Sequence, residues 1–311
     1  MIQLDDKNTY KDYLINKYEN NRNCASLVED VLKNTSQYEL YVRNQLTNFQ
    51  NWSLDYDIER KTGKLHLNDS TLAFSKILDT ASYSDSRMVI EAPFLKKNLS
   101  LNKSSKVYDV CLGTGATTIG LKRLGINHII SNDIDDEMIK IAKKHALEED
   151  VSLIIDKYDW REMGDTSMGN ADAILCLGNS LTYIMRPHEH ERIINLFYGM
   201  LNEGGKLAID IRNYTELLRG NFQNKGTGPY KEMESISIDP ILVHTDMAVL
   251  RYGLKDGSVE KTDLLLYPFK DGEIECWMRN SGFKDIKIYG DYKEKFDSKT
   301  VDFYTIIGTK T

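Results

Sequence analysis

Residues 106–134 read KVYDVCLGTGATTIGLKRLGINHIISNDI and decide the fold. Two short runs rich in valine and isoleucine, KVYDVCL and HIISNDI, flank ATTIGLKRLG, whose length and composition predict a helix. Strands that alternate with helices pair in parallel, and the helices cover both faces of the resulting sheet. The stretch therefore predicts one strand-helix-strand unit of an α/β protein.

The same alternation continues as far as residue 211. DEMIKIAKKHALEE and HERIINLFYGML predict helices, whereas VSLIIDK, ADAILCLG and GKLAIDI predict the third, fourth and fifth strands. Five strands with crossover helices predict an α/β, Rossmann-like fold with a doubly wound, mostly parallel sheet.

The two ends of the chain lack this regular alternation of strands and helices. Residues 1–100 are polar, with weak apolar periodicity in SLVEDVLKN and STLAFSKILDTA, and predict a helical N-terminal cap. We expect a domain at 101–311 that carries an antiparallel insertion at 213–270. In that insertion, the predicted strands HTDMAVLRYGL and SVEKTDLLLYPF are joined through Asp256-Gly257, a pair typical of hairpin turns. A helix around EIECWMRNSG and the closing strands DIKIYG and DFYTIIGTK complete the prediction.

Composition narrows the function classes. The 311 residues include 40 Lys and Arg against 47 Asp and Glu, a formal net charge of −7, which argues against binding a phosphate backbone. The polar N-terminus is unlike a signal peptide, and no apolar run approaches the roughly 20 residues that span a bilayer. We therefore expect a cytoplasmic protein with a small-molecule substrate and neither a nucleic-acid nor a membrane partner.

The sequence predicts no metal site. The four cysteines are far apart and form no CxxC pair, which predicts neither a zinc site nor a disulfide framework. His188 and His190 are two residues apart and point to different faces of a helix, so we expect a solvated helix start rather than a ligand pair.

A glycine turn joins the first predicted strand to the helix after it. Gly113 and Gly115 let the backbone turn tightly and approach a ligand at the helix N-terminus. Asp133, at the end of the second strand, offers paired oxygens to the two hydroxyls of a ribose. The dinucleotide pattern G-x-G-x-x-G ends here in Thr118, which favours a nucleoside without pyrophosphate and leaves NAD as the second candidate.

Two further segments are predicted at the same edge of the sheet. Asp159 and Trp160 follow the third strand, where a polar group and an indole can bracket an adenine; the alternative is that Trp160 only covers the core. Leu177, Gly178 and Asn179 end the fourth strand, at the edge where open α/β sheets bind ligands.

Two pentapeptides are more specific than the glycine turn, namely CLGNS at 176–180 and DIRNY at 210–214. With these motifs and the framework from Val107 onward, the sequence resembles the class I S-adenosylmethionine-dependent methyltransferases. Among them it is similar to the glycine N-methyltransferase and glycine/sarcosine/dimethylglycine methyltransferase family. The resemblance implies methyl transfer from S-adenosylmethionine to the amine of a small amino acid, with S-adenosylhomocysteine as the second product.

The resemblance also implies roles for individual residues. Arg87 is expected to meet the methionine carboxylate of the cofactor, and Arg212 to hold the substrate carboxylate through two parallel hydrogen bonds. Tyrosine rings are expected to surround the sulfonium by cation–π attraction. The implied cofactor contacts are Tyr83, Arg87, Gly113, Gly115, Asp133, Ile134, Met138, Asp159, Trp160 and Leu177. The implied substrate contacts are Gly178, Asn179, Tyr183 and Arg212, and the implied catalytic set is Asn179, Arg212, Tyr230, Tyr252 and Tyr267.

The sequence departs from the family at two places that affect substrate access. Tyr183 stands where the family has a histidine, and residues 1–80 do not match the family's short N-terminal arm. The acceptor is therefore open among glycine, sarcosine and dimethylglycine, or an amine without a carboxylate such as an amino sugar or a polyamine. A protein that binds the cofactor without turnover is the remaining alternative. The family also implies a homo-oligomer, and no side chain is assigned as a dedicated base.

Overall fold

The computed structural model describes residues 65–66, 71–83, 87–160, 163, 170–184, 187–226, 230, 234–244, 247–256 and 261–311. The strands are β1 Leu65–His66, β2 Lys106–Asp109, β3 His128–Asn132, β4 Ile154–Asp156, β5 Ala171–Cys176, β6 Leu201–Arg212, β7 Ile236–His244, β8 Met247–Leu254, β9 Lys261–Leu266, β10 Lys284–Gly290 and β11 Phe303–Thr309. The helices are α1 Thr71–Ser82, α2 Ala92–Asn98, α3 Ala116–Arg123, α4 Asp136–Glu148, α5 Pro187–Met200, α6 Tyr214–Leu218 and α7 Glu273–Asn280.

Seven strands form the central sheet, in the order β10-β11-β6-β5-β2-β3-β4. Strands β2 to β6 are parallel, as their alternation with helices predicts, and β11 and β10 close the edge in antiparallel pairing. Residues at the middle of the sheet, such as Val107, Ile174 and Leu207, are fully buried. The strand order reverses between β2 and β5, the position where open α/β sheets bind ligands. The predicted Rossmann-like fold is confirmed.

A second, four-stranded antiparallel sheet has the order β1-β9-β8-β7 and contains the predicted β8 and β9 pair. The expectation of one strand beginning at His244 is wrong, because His244 ends β7 and pairs with Met247 at the start of β8. Strand β7 passes through Pro240, where the register shifts, as expected for a residue that cannot donate to the ladder.

The described N-terminal part is not helical throughout. The predicted stretch STLAFSKILDTA forms α1, but Leu65 and His66 form a strand that pairs with β9. The stretch SLVEDVLKN lies outside the described residues. Between α1 and α2, a π-helical turn at Arg87–Glu91 turns both of these charged residues into the interior.

The start of α5 corrects another expectation. His190 is fully buried rather than solvated, and its Nε2 lies 2.7 Å from the carbonyl oxygen of Ile184. Its ring packs against Tyr267, Phe269 and Trp277. In the described part of the chain, no group of three or more His, Cys, Asp or Glu residues is arranged to hold a metal ion. Within the same residues, no helix has the length and apolar character needed to cross a bilayer.

Candidate active site

A cavity lies at the carboxyl ends of the parallel strands, beside the point where the strand order reverses. About 770 Å³ of space not occupied by atoms lies within it, and this volume includes open solvent. Its wall combines the ends of β2, β3, β5 and β6 with residues from α1 and from the second sheet. The sequence-predicted residues in this wall are Arg87, Gly113, Asp133, Met138, Leu177, Gly178, Asn179, Tyr183, Arg212, Tyr230 and Tyr252.

The loop between β2 and α3 forms one end of the cavity. Gly113 and Gly115 have φ angles of 53° and 89°, in the left-handed region that favours glycine. A Cβ on Gly115 would lie 3.2 Å from the Cβ of Ala142. The backbone N–H of Gly113 donates to Asp133 Oδ2 at 2.7 Å, so the carboxylate at the end of β3 holds the loop against the cavity.

The polar groups at this end fit a nucleoside. Asp133 Oδ1 accepts from the backbone of Asp135 at 3.0 Å, and each carboxylate oxygen has acceptor capacity beyond one bond. Thr114 Oγ1 is buried and has no hydrogen-bond partner among the described residues. Met138 is almost fully buried and adds apolar surface. A carboxylate, a hydroxyl in need of a partner and an apolar wall are what a ribose and an adenine require.

Arg87 lies in the same wall with its charge already paired. Its Nη2 donates to Glu91 Oε1 at 3.1 Å and to Thr117 Oγ1 at 2.9 Å, and Nε donates to Glu91 Oε2 at 3.2 Å. Burial lowers the pKa of Arg87, but the charges of Glu91, Tyr230, Tyr292 and Asp210 together raise it by more, so this guanidinium is a permanent cation.

Arg212, at the end of β6, forms another part of the wall, which we call the Arg212 end of the cavity. The residue is 2% exposed, yet Nε and Nη1 of its guanidinium are buried without a hydrogen-bond partner among the described residues. The guanidinium carbon lies 4.7 Å from the ring centroid of Phe303 and 5.4 Å from that of Phe222. Buried donors without a partner are costly, so this guanidinium is prepared for an anion that enters the cavity.

Asn179 fixes the position of Arg212. The Oδ1 of Asn179 accepts from the backbone N–H of Arg212 at 2.9 Å, and its Nδ2 donates to the hydroxyl of Tyr214 at 2.9 Å. Its own backbone, at a φ of 62°, donates to Asp210 Oδ1 at 2.9 Å. The asparagine therefore ties the end of β5 to the end of β6.

Aromatic rings complete the wall. Burial raises the pKa values of Tyr183 and Tyr230 well above the usual tyrosine range and also raises that of Tyr252, so all three are neutral phenols. Tyr230 stacks on Phe303 with centroids 4.1 Å apart, and the guanidinium carbon of Arg87 lies 5.3 Å from the Tyr230 centroid. A continuous series of contacts therefore joins Arg87, Tyr230, Phe303 and Arg212, which we call the arginine stack.

Comparison with known proteins agrees with this geometry. Residues 107–205 match a family model described as a methyltransferase domain. The glycine/sarcosine N-methyltransferase of Parasynechococcus marenigrum is 29% identical over 246 residues, 79% of this chain and 84% of that protein. The glycine/sarcosine N-methyltransferase of Aphanothece halophytica is 29% identical over 253 residues, 81% of this chain and 94% of that protein.

The likeness extends to solved structures. An S-adenosylmethionine-dependent methyltransferase from Clostridium acetobutylicum superposes with a TM-score of 0.59 at 17% identity, covering 76% of this chain and 97% of that one. The chain has the class I methyltransferase fold and carries a methyltransferase domain at residues 107–205. The resemblance predicted from CLGNS and DIRNY is thereby confirmed.

Several predicted residues of the methyltransferase lie outside the cavity wall. Trp160 donates its Nε1–H to the carbonyl of Val110 at 2.7 Å and packs against Phe197, which is the covering role named as its alternative. The hydroxyl of Tyr267 donates to Glu273 at 3.2 Å, and Tyr83 stacks on His145 at 3.6 Å. Gly115, Ile134 and Asp159 are also absent from the wall.

Other wall residues of the methyltransferase were missed by sequence reasoning. Phe74 and Leu78 reach the cavity from α1, and Phe303 reaches it from β11. The apolar periodicity of STLAFSKILDTA identified the helix but not the surface that it covers. Cys111 and Thr114 also line the cavity, whereas the sequence pattern of this turn predicts a role only for its glycines.

Proposed function

We propose that this S-adenosylmethionine-dependent methyltransferase transfers its methyl group to the amine of a small amino acid such as glycine, sarcosine or dimethylglycine. The observation that carries the proposal is the buried guanidinium of Arg212, whose Nε and Nη1 lack partners among the described residues. A planar guanidinium binds a carboxylate through two parallel, charge-assisted hydrogen bonds. The relatives named as glycine/sarcosine N-methyltransferases support the same acceptor class.

Donor binding is assigned to the end of the cavity formed by the glycine loop. In our proposal, Asp133 accepts hydrogen bonds from the ribose hydroxyls, and Gly113, Met138 and Leu177 pack around the nucleoside. Arg87, held by Glu91, attracts the methionine carboxylate. S-adenosylmethionine supplies an electrophilic methyl group on a sulfonium. The protein's task is to align an amine with that methyl group and to exclude water.

Acceptor binding is assigned to the end formed by Arg212. Arg212 anchors the carboxylate, and Asn179 keeps the backbone of Arg212 in place while the carbonyl of Gly178 accepts from the amine. Tyr183, Tyr230 and Tyr252 give the space between the two ends an aromatic surface, which favours a cationic group. Tyr267 does not line the cavity, and its role is to position Thr182, whose hydroxyl donates to the Tyr267 carbonyl.

The experiment that tests this function is a methyl-transfer assay with purified protein and a panel of acceptors, followed by the mass of the product. Glycine, sarcosine and dimethylglycine are compared with amines of similar size that lack a carboxylate. We expect transfer to acceptors of the glycine series. Transfer only to amines without a carboxylate would refute the role of Arg212, and donor binding without any transfer would indicate a binding protein.

Substitution of the anchor gives a sharper test. We expect Arg212→Lys to raise the acceptor KM about 10- to 100-fold, because an ammonium cannot make the bidentate pair, which is worth about 1.5–3 kcal/mol. Donor affinity, measured by calorimetry, should stay within twofold, about the precision of the measurement. Arg251→Lys is the matched control, since Arg251 makes a bidentate pair with Asp263 on the second sheet. An unchanged acceptor KM in Arg212→Lys would contradict the anchor.

We propose the cellular location, the class of partner and the oligomeric state from composition and family resemblance. The net charge of −7 supports a small-molecule partner rather than nucleic acid, and the three cysteines in the described part of the chain are free, which is typical of a reducing cytoplasm. We also propose a homo-oligomer, and a mainly helical cap at 1–100 that contributes residues to the cavity wall ahead of the methyltransferase domain at 101–311.

A further inference from the structure

The carboxylate of Asp210 lies directly behind the cavity wall, at the end of β6. Asp210 is fully buried and does not line the cavity itself. Its Oδ1 accepts from the backbone of Asn179 at 2.9 Å, and its Oδ2 accepts from the hydroxyls of Tyr230 and, at 3.0 Å, Tyr292. Of the two tyrosines, Tyr230 lines the cavity and Tyr292 does not. A residue of the cavity wall is therefore hydrogen-bonded to a buried carboxylate.

A second buried carboxylate shares this interior. Glu91 is also fully buried, and the hydroxyl of Tyr292 lies 3.1 Å from its Oε2 and 3.0 Å from Asp210 Oδ2. Arg87 is the cation that hydrogen-bonds to this cluster, and it pairs with Glu91. The cluster thus holds two carboxylates for one guanidinium, an arrangement that favours uptake of a proton.

The protonation of Asp210 follows from this surrounding. Burial, with the charge of Glu91 as a second cause, raises the pKa of Asp210 from 3.8 to about 6, although hydrogen bonds from Tyr230 and Asn179 and the charge of Arg87 act in the opposite direction. Asp210 is therefore ionised at neutral pH and is a stronger base than an exposed aspartate.

Methyl transfer to an amino acid needs such a group. The amine of a free amino acid is an ammonium at neutral pH, and it has no lone pair until a proton leaves. None of the Arg212, Asn179 and Gly178 contacts assigned to the acceptor removes that proton to a base. Tyr230 lines the wall, and its hydroxyl donates to the buried carboxylate of Asp210.

We propose that Asp210 takes up the proton of the acceptor amine through the hydroxyl of Tyr230; this inference rests on the function proposed above. An N–H bond of the ammonium breaks as an O–H bond to the Tyr230 oxygen forms, and the proton first carried by Tyr230 moves to Asp210 Oδ2. The freed nitrogen lone pair then forms the N–C bond to the methyl group, while the C–S bond breaks with its electrons going to sulfur. Asp210 is a positioning residue that also stores the proton, and Tyr230 is the catalytic residue that touches the substrate.

The test compares Asp210→Asn, Tyr230→Phe and Tyr292→Phe by the pH dependence of kcat at saturating donor and acceptor. For the wild type we expect kcat to fall below pH about 6, where Asp210 becomes protonated. Tyr230→Phe interrupts the route and should lower kcat about 100-fold, the scale of general base catalysis. Asp210→Asn should lower kcat similarly and abolish the fall at low pH.

Tyr292→Phe is the matched control, because it removes the other tyrosine hydroxyl on the same carboxylate oxygen. Its kcat at high pH should be retained, whereas its fall in kcat should begin at higher pH, since Asp210 loses a donor that stabilises its charge. A purely structural role for the cluster predicts no such displacement. Equal loss of kcat in Tyr230→Phe and Tyr292→Phe would overturn the proposal.

A readout without turnover is the potentiometric titration of the protein between pH 7.5 and 4.5. The wild type should take up one proton more than Asp210→Asn in this interval, and calorimetry should show donor affinity within twofold of the wild type, about the precision of the measurement. If Asp210→Asn does not fold, Tyr230→Phe and Tyr292→Phe still decide the question. Wild-type turnover with unchanged pH profiles in these variants overturns the relay alone, whereas a wild type that methylates no amino acid overturns the proposed function.

Discussion

At the scale of single residues, buried charged and polar groups are the features of this methyltransferase that indicate where its chemistry takes place. Asp109 and Asp210 both lie at the carboxyl ends of central strands, and burial raises the pKa of each to about 6. Arg212 is also buried, and its Nε and Nη1 lack hydrogen-bond partners among the described residues. Each of these groups costs free energy of folding, and two of the three adjoin the cavity where the proposed chemistry needs them.

Asp109 provides a prediction about stability and pH. Its folded pKa of about 6 lies above its ordinary value of 3.8, so the folded state binds the proton more tightly than the unfolded state. The stability contributed by this group is therefore complete below pH about 4 and is lost as the pH rises through 6. Asp109→Asn should remove this dependence, which amounts to on the order of 3 kcal/mol of unfolding free energy.

Urea unfolding at pH 4.5 and pH 7.5 measures this difference. The Thr118 hydroxyl, which donates to Asp109 Oδ2 at 2.7 Å, can still donate to an asparagine carbonyl, so Asp109→Asn preserves the packing. Asp136→Asn, at a largely exposed helix start, is the matched control. A wild type and an Asp109→Asn variant with parallel pH profiles would contradict the prediction.

At the scale of elements, α1 is the least expected part of the site. Phe74 packs edge-on against Tyr252 of β8, with centroids 5.7 Å apart, and Leu78 lies one turn further along the cavity. Asp79 then contacts Nε2 of His145 on α4 at 2.9 Å, and the Nδ1 of the same ring lies 2.9 Å from the carbonyl oxygen of Thr114. His145 therefore links α1 to the glycine loop.

This link predicts that a substitution in α1, outside the donor site, weakens donor binding. Asp79→Asn should weaken donor binding several-fold, because it removes the charge that holds His145 against the carbonyl of the glycine loop. Calorimetric titration with S-adenosylmethionine measures the change. Lys144→Ala removes an exposed ion pair with Glu148 on the same helix and should leave donor affinity unchanged. Equal affinity in both variants would show that α1 and the loop are independent.

The sequence predicted the elements better than the contacts between them. Asp133 and Arg212 line the cavity, and their positions at strand ends could be predicted from the alternation of strands and helices. The contacts of Phe74 with Tyr252 and of Trp160 with the Val110 carbonyl could not be predicted, because the partners come from distant parts of the chain. Periodicity shows that a side chain is apolar but not which surface it meets.

At the scale of the whole molecule, the two sheets share one cavity and are joined by direct bonds. The backbone N–H of Tyr267, after β9, donates to the carbonyl of Thr182 at 2.8 Å, and the Thr182 hydroxyl donates back to the Tyr267 carbonyl at 2.6 Å. Phe74 and Tyr252 extend the contact. The second sheet is therefore part of the same packed core as the first.

This connection predicts one cooperative unfolding transition for the described core. Differential scanning calorimetry should give a calorimetric enthalpy equal to the van't Hoff enthalpy, and S-adenosylmethionine should raise the Tm by mass action. Thr182→Val removes the hydroxyl that joins the sheets and should lower the Tm while the transition stays single. Two separate transitions in the wild type would contradict a shared core.

The arginine stack has a consequence for the size of the acceptor. Two packed rings separate the guanidinium groups that we propose as anchors for the donor carboxylate and the acceptor carboxylate. Because these four groups are in contact, we expect the distance between the two anchors to vary little. We therefore expect an acceptor whose amine is one carbon from its carboxylate to be methylated faster than one with a longer chain between the two groups.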